Sequence, residues 1–119
     1  MKWFTHILWN TAAAAALCSI FAMSCDTYIT VSAMAALHTV VTDVLGHRGL
    51  RRNRYHDAIS LITAVVLTAS VGNPVLLIFG PIHIVLDRLS PGRLAVSWWY
   101  NILWSMQAVF VLSRFITAP

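Results

Sequence analysis

Glutamate is absent from this 119-residue chain, and its acidic residues are Asp26, Asp43, Asp57 and Asp87. Charged residues make up 10% of the sequence and hydrophobic residues 59%, whereas a soluble domain usually carries about 25% charged residues. This shortage of charge argues against an ordinary soluble domain and indicates a membrane protein. Because carboxylates are so scarce, the position of each one is informative.

Cysteine is also scarce. The two cysteines, Cys18 and Cys25, lie in one apolar run and form no Cys-x-x-Cys motif. On one helix they would be about 10 Å apart along the axis, which is too far for a disulfide. The sequence therefore predicts two small, buried thiols rather than a disulfide framework.

The net charge of +4 does not by itself indicate a nucleic-acid partner. The basic residues cluster in short loops beside apolar runs, where membrane topology places them. Tyr55 is the one aromatic residue among the arginines of the 46–57 loop, so that loop lacks aromatic platforms for bases. We therefore expect the lipid bilayer, and no nucleic acid, as the partner of this chain.

Apolar segments alternate with short polar breaks along the sequence. The segments 7–25, 27–45 and 94–115 are long enough to cross a bilayer. The runs 58–71 and 75–89 are shorter and flank the turn signal Gly-Asn-Pro. We predict one all-α membrane domain over residues 1–119, with about five helices: three full crossings and a short helical hairpin.

The two short runs have an alternative, in which 58–79 is one kinked crossing and 80–93 is a loop beyond it. The hairpin places Arg88 and Arg93 with the N-terminal and loop basic residues, leaving only Arg114 on the other side. The hairpin therefore satisfies the positive-inside rule better. We expect a multi-pass protein of the plasma (inner) membrane, with the N-terminus and the 46–57 loop in the cytoplasm.

The first apolar segment also has features of a secretory signal peptide. Lys2 precedes the apolar run, and small residues follow at 22–25. The apolar region is nevertheless long for a signal peptide. We expect a retained helix.

Most histidines and aspartates fall at one membrane level under this topology, although they come from four segments. Asp43 with His47, and His83 with Asp87, are each four residues apart, so each pair shares one helix face. Imidazole and carboxylate ligands suit zinc, manganese or iron, and several carboxylates also suit a two-metal centre. The converging residues are His6, Asp43, His47, His56, Asp57, His83 and Asp87.

Other roles remain open for these groups. Asp43 and Asp87 could pair with the loop arginines, and a histidine near a helix end could cap carbonyl groups. Ionisable side chains near the membrane interior are costly and mark functional sites, so the convergence favours a metal or catalytic site. His38 lies in mid-helix, where we predict a packed, hydrogen-bonded side chain, and Asp26 is predicted to be a solvated loop residue.

The basic loop contains Arg48, Arg51, Arg52 and Arg54. Guanidinium groups match phosphate oxygens in bidentate fashion, which favours a phosphate or anionic-lipid site. The same residues also serve as a topology determinant attracted to anionic headgroups. The two interpretations are compatible, and both point to lipid or phosphate near the site.

Four motifs occur in a characteristic order: "THIL", "TDVLGH", "RYHDAIS" and "GPIHIVLDRLSPG". Together they span residues 5–92 and resemble the YdjM-like family of LexA-binding, inner-membrane-associated proteins described as metal-dependent hydrolases, together with its archaeal relatives. The resemblance implies that the family's polar positions fall on His6, Asp43, His47, His56, His83 and Asp87. The chain departs from the family pattern at Thr42, Tyr55, Asp57 and Ile82, which affects the expected substrate chemistry more than the His/Asp framework.

Our leading interpretation is a membrane protein with a cytoplasm-facing site for a divalent metal, zinc or manganese, that hydrolyses an anionic, phospholipid-like substrate. His6, Asp43, His47, His83 and Asp87 would bind the metal. His56 and Asp57 would be catalytic or supply a further ligand, and the loop arginines would bind substrate. The alternative is a structural or accessory subunit of a membrane or viral assembly, in which the polar cluster fixes helix packing. A homo-oligomer or a membrane complex stays open.

Overall fold

The computed structural model describes residues 3–48, 51–52, 54–89 and 98–116, without the side chains of 3, 48, 51, 52 and 116. The described chain is helical apart from two antiparallel two-residue strands, which confirms the all-α prediction. The helices are α1 (Trp3–Ile20), α2 (Cys25–Gly46), α3 (His56–Val71), α4 (Phe79–Leu89) and α5 (Trp98–Ile116); a 3-10 helix, Pro74–Ile78, precedes α4. The strands are β1 (His47–Arg48) and β2 (Arg51–Arg52).

The first apolar segment is not one helix, contrary to the prediction for 7–25. Helix α1 ends at Ile20, and Ala22 adopts a positive φ of 48°. Ser24 then caps α2, because its hydroxyl accepts a hydrogen bond from the backbone N–H of Thr27 at 3.3 Å. The carboxylate of Asp26 lies in the first turn of α2, where the helix dipole favours negative charge.

The cysteines are consequently on different helices. Both are free; Cys18 is buried on α1, whereas Cys25 is exposed at the start of α2. The predicted absence of a disulfide between them is confirmed. The prediction that both are buried was wrong for Cys25, because the chain reverses direction between the two residues.

The segments 58–71 and 75–89 form the helical hairpin, not a single kinked helix. Gly72 ends α3 in the left-handed region at φ 74°, with its N–H donating to the Thr68 carbonyl. The side chain of Asn73 accepts a hydrogen bond from Val75 N–H and starts the 3-10 helix. Across the hairpin, the Ser60 hydroxyl donates to the Gly80 carbonyl at 3.0 Å. The alternative of one kinked crossing is therefore excluded.

The helices pack as a series in which α1 contacts α2 and α5, while α3 contacts α2 and α4. Small residues allow the close approach of α1, where Ala12, Ala14 and Ala15 are buried. An apolar core fills the half of the bundle where α1 ends and α2 begins. Its residues are Ala14, Cys18, Val31, Ala35, Leu76 and Phe79.

The other half of the bundle has a polar interior and an apolar exterior. Helix α3 shows this clearly, because it buries His56 and Ser60 while exposing Leu61 and Val65. Within the described chain, α2 is the one helix that is long and apolar enough to cross a membrane, and α1 over residues 4–20 and α3 are apolar but shorter. Three parts of the sequence lie outside the described residues: the predicted helix stop at 90–92, Arg93, and residues 94–97.

Candidate metal centre

Four helices meet at one end of the bundle and bring the predicted site residues together. His6 lies in the second turn of α1, and Asp43 lies in the last turn of α2. His47 follows α2, and His56 is the first residue of α3. Helix α4 contributes His83 and Asp87, which lie one turn apart on the same face.

Asp43 is surrounded by histidines. Its Oδ1 lies 3.3 Å from Nε2 of His83, 3.6 Å from Nε2 of His47 and 3.7 Å from Nε2 of His56. Its Oδ2 lies 3.6 Å from Nδ1 of His6. Among the side chains that the structure describes, Asp43 has histidines as its ionic neighbours, which agrees with a ligand cluster more closely than with the alternative of Asp–Arg pairing.

Asp87 faces two of the same histidines. Its Oδ1 lies 3.5 Å from Nε2 of His6, and its Oδ2 lies 3.2 Å from Nε2 of His56. Helices α1, α3 and α4 therefore meet at the Asp87 carboxylate. Both carboxylates of the cluster contact the histidines of α1 and α3.

These distances match the separations between ligands of one metal centre. A good N–H···O hydrogen bond spans about 2.7–3.2 Å, and most of the nitrogen–oxygen separations here are longer, at 3.3–3.7 Å. Two ligand atoms that are each about 2.1 Å from a tetrahedral ion lie about 3.4 Å apart. The geometry therefore leaves room for an ion between the side chains.

Three histidines of the cluster have ring nitrogens without hydrogen-bond partners among the described residues. Within the described chain, both ring nitrogens of His6, His56 and His83 are buried without a hydrogen bond, as is Oδ1 of Asp43. Each of these four side chains is at most 4% exposed. Buried polar groups are normally satisfied, so this concentration of orphaned atoms is suited to hold a metal ion.

The ligand atoms fall into two overlapping sets. One set comprises His6, Asp43, His83 and Asp87, and the other comprises Asp43, His47 and His56. Within each set, one ligand atom per residue lies within 4.8 Å of all the others. Asp43 belongs to both sets.

His56 and Asp57, predicted as catalytic, have different positions in the site. His56 is buried with Nε2 directed at both carboxylates, which places it among the candidate ligands. Asp57 is 41% exposed, and its Oδ1 lies 3.7 Å from Nδ1 of His56. A carboxylate on the outer nitrogen of a ligating histidine orients the ring and raises its basicity.

Arg88 was not predicted to belong to the site. Its guanidinium lies 3.6 Å from Oδ2 of Asp57, and both side chains are exposed at the mouth of the cluster. The positions of Arg88 and Asp87 next to each other in the sequence were a signal, since a basic residue one position from a candidate ligand also reaches the site rim.

The arginine loop is only partly described. Arg48, Arg51 and Arg52 lie on the two short strands, and their side chains lie outside the described residues. The Arg54 guanidinium is exposed and stacks over the Tyr55 ring, 4.6 Å from its centroid. The predicted phosphate-binding role of these four arginines stays a prediction.

His38 has the packed, hydrogen-bonded position that was predicted. It is buried, and Nε2 donates to the Ser60 carbonyl at 2.9 Å. Its ring also meets the His83 ring edge-on, with centroids 5.6 Å apart. His38 thus supports the position of His83 from the interior of the bundle.

Gly46 is essential to the geometry and was missed in the sequence. A Cβ atom at this position would clash with Cδ2 of His56 and would lie 3.1 Å from its Cγ. A glycine at the end of α2 therefore allows the His56 ring to reach Asp43. The Gly-His dipeptide gave a signal for this position only as part of the family motif.

No protein-family model, curated protein sequence or solved structure matches this chain. The resemblance of its motifs to the YdjM-like family therefore stays a prediction. The structure groups the candidate ligands into two sets that share Asp43.

Proposed function

We propose that this chain is a multi-pass inner-membrane protein whose His/Asp cluster binds divalent metal, zinc or manganese, and hydrolyses an anionic, phospholipid-like phosphoester. The observation that carries the proposal is the set of buried, unpartnered imidazole nitrogens around the Asp43 carboxylate. Imidazole and carboxylate form the ligand set of hydrolytic zinc and manganese sites. The motif resemblance to metal-dependent hydrolases of the YdjM-like type points the same way.

Charge balance supports a cation at the centre. Asp43 is 3% exposed, and a buried carboxylate requires compensation by charge and hydrogen bonds. A divalent ion would balance the Asp43 carboxylate and would use the nitrogen lone pairs of His6, His56 and His83 at the same time.

Hydrolysis is supported by the position of the cluster at the end of the bundle. When bound, the metal would lower the pKa of a water molecule and so supply a nucleophile at neutral pH. His47 is 32% exposed, which opens one side of the cluster to water and substrate. Arg88, at the rim, would attract the anionic substrate, and Asp57 would orient His56.

A membrane location is supported by the inverted polarity of the bundle. Large apolar side chains such as Ile62, Val66, Leu103 and Phe110 are exposed, whereas the interior beside the site is polar. This distribution suits lipid on the outside and small or polar residues between helices. Arg54 and Arg88 lie at the site end, together with Arg48, Arg51 and Arg52 of the two strands, whereas Arg114 lies at the opposite end of α5. This excess of basic residues supports a cytoplasmic position for the site end under the positive-inside rule.

Metal analysis of the detergent-purified protein tests the proposal. We expect stoichiometric zinc or manganese in the wild type, with at least a tenfold loss in His83→Ala and in Asp87→Ala. Asp26→Asn, at the far end of α2, is the matched control and should retain the metal. Hydrolysis of bis-p-nitrophenyl phosphate and of phosphatidylglycerol vesicles then tests the substrate class.

The outcomes separate the two functions that the sequence permits. Substoichiometric metal in the wild type, unchanged by either substitution, would contradict the metal site and favour an accessory membrane subunit. Stoichiometric metal without hydrolysis of either phosphoester would retain the site and reject the proposed substrate.

A further inference from the structure

Both aspartates of the cluster face the histidines of α1 and α3 with different oxygens, and Oδ1 of Asp43 also lies 3.3 Å from His83 and 3.6 Å from His47. Asp43 places Oδ2 3.6 Å from a nitrogen of His6 and Oδ1 3.7 Å from a nitrogen of His56. Asp87 places Oδ1 3.5 Å from His6 and Oδ2 3.2 Å from His56. Each carboxylate thus spans the gap between the α1 histidine and the α3 histidine. This is the arrangement of carboxylates that bridge two metal ions.

The number of donors also exceeds what one zinc ion takes. A zinc site normally has four ligands, whereas this cluster offers four imidazoles and two carboxylates. The donors divide into the two overlapping sets that share Asp43. A single ion placed in either set would leave histidines of the other set unused.

A protonated His6 between the two carboxylates does not explain the same geometry. The His6 ring does face Asp43 and Asp87 through different nitrogens, at 3.6 and 3.5 Å. These separations exceed the range of good hydrogen bonds, about 2.7–3.2 Å. A cationic His6 would also leave the buried nitrogens of His56 and His83 without partners within the described structure.

We infer that the centre holds two divalent ions bridged by Asp43 and Asp87. His6 and His83 bind the first ion, and His47 and His56 bind the second. Two ions in such a site lie about 3.5–4 Å apart, a spacing that one bridging carboxylate spans. This inference rests on the metal site of the proposed function and adds a second ion to it.

Two ions change the electrostatics of the site. Together they carry four positive charges against the two negative charges of Asp43 and Asp87, so the ligated centre keeps an excess of positive charge. Such a centre favours an anionic group that places one oxygen on each ion. A phosphoester has this geometry, and two-metal sites stabilise both the attacking and the leaving oxygen in its hydrolysis.

Manganese titration of the metal-free protein in detergent tests the inference. We expect two Mn²⁺ per chain by equilibrium dialysis, with an exchange-coupled signal in low-temperature electron paramagnetic resonance. His47→Ala should reduce the count from two to one and abolish the coupling. His47 is suited to this test because it is the most exposed of the four histidines.

Controls make each outcome decisive. Asp43→Asn should lose both ions, whereas Asp26→Asn should retain two coupled ions; a His47→Gln variant replaces His47→Ala if the latter does not fold. One uncoupled ion in the wild type would overturn the two-metal centre and leave the proposed function intact. Two uncoupled ions would overturn the bridging roles, and no bound ion would overturn both this inference and the proposed function.

Discussion

Nε2 of His83 lies 3.3 Å from Oδ1 of Asp43 in the bundle interior, linking α4 to α2. The His83 side chain is fully buried and Asp43 is 3% exposed. Neither ring nitrogen of His83 has a hydrogen-bond partner in the described part of the chain, so the pair is suited to hold a metal ion.

Asp43→Asn should abolish metal binding without unfolding the helix bundle. The substitution keeps the side-chain volume but removes the charge that faces His6, His47, His56 and His83. We expect metal content to fall more than tenfold, measured by plasma mass spectrometry. Asp26→Asn lies on the same helix in its first turn and should be neutral. Retention of wild-type metal in Asp43→Asn would refute the central role of this carboxylate.

Gly46→Ala should displace His56 from the cluster. The added methyl group would clash with the imidazole, whose Nε2 would lie 3.2 Å from the new Cβ. We expect a loss of metal affinity of at least tenfold, measured by competition with a chromogenic chelator.

Gly72→Ala is the matched control for that experiment. Gly72 has a positive φ of 74°, and no atom lies within 4 Å of the position that the added methyl group would take. We expect about 1 kcal/mol of destabilisation from the backbone strain, with unchanged metal affinity. Equal metal affinities in the two variants would show that Gly46 does not position His56.

Asp57→Asn should weaken metal binding without abolishing it. Its Oδ1 lies 3.7 Å from Nδ1 of His56, and removing such an outer-sphere carboxylate costs about 10–100-fold in metal affinity. The amount bound at saturating metal should stay at the wild-type value. Arg88→Gln breaks the same ion pair from the other side and should have a smaller effect, because Arg88 acts on His56 only through Asp57. A larger effect of Arg88→Gln would assign the arginine a direct role.

His38→Leu should lower stability while the metal content is retained. The substitution removes the hydrogen bond to the Ser60 carbonyl, and a buried bond of this kind contributes about 1 kcal/mol. Thermal unfolding in detergent measures the loss, and mass spectrometry measures the metal. His47→Ala should show the opposite pattern, with less metal and little change in the stability of the metal-free protein. Loss of metal in His38→Leu would instead identify His38 as a ligand.

Cysteine labelling tests the proposed orientation of the bundle. Cys25 is exposed at the end of α2 opposite the site, whereas Cys18 is buried. A membrane-impermeant maleimide should label Cys25 in intact cells. In a Cys25→Ala background, Arg54→Cys should be labelled only after lysis, because Arg54 is exposed at the site end. Labelling of Arg54→Cys in intact cells would place the site outside the cytoplasm.

The helical hairpin shows how far local sequence signals carry. Gly72, Asn73 and Pro74 end one helix and begin the next by local backbone chemistry, and the structure follows them. The chain reversal at residues 21–24 was missed, because its residues are as apolar as the helix before it. Ser24 was the available signal, as a capping residue followed by Asp26 in the first turn.

The candidate site likewise combines features that local spacing predicts with features that only the packing of the helices determines. Asp43 with His47, and His83 with Asp87, are each four residues apart. This spacing alone predicts that the two members of each pair share one helix face. The orientation of His56 toward both carboxylates depends on the crossing of α2 and α3 at Gly46, which no local pattern encodes. The ion pair of Asp57 with Arg88 likewise depends on the antiparallel packing of α3 and α4.

The sequence by itself therefore determined the class of this protein: helical, poor in charge, with histidines and aspartates near the ends of apolar segments. Helical periodicity and hydrophobicity are local properties, so composition and spacing are sufficient for that conclusion. Only the tertiary structure decided that His6, Asp43, His56, His83 and Asp87 share one buried volume. Those contacts depend on how four helices pack, and the distances between their side chains determine which groups can bind the same ion.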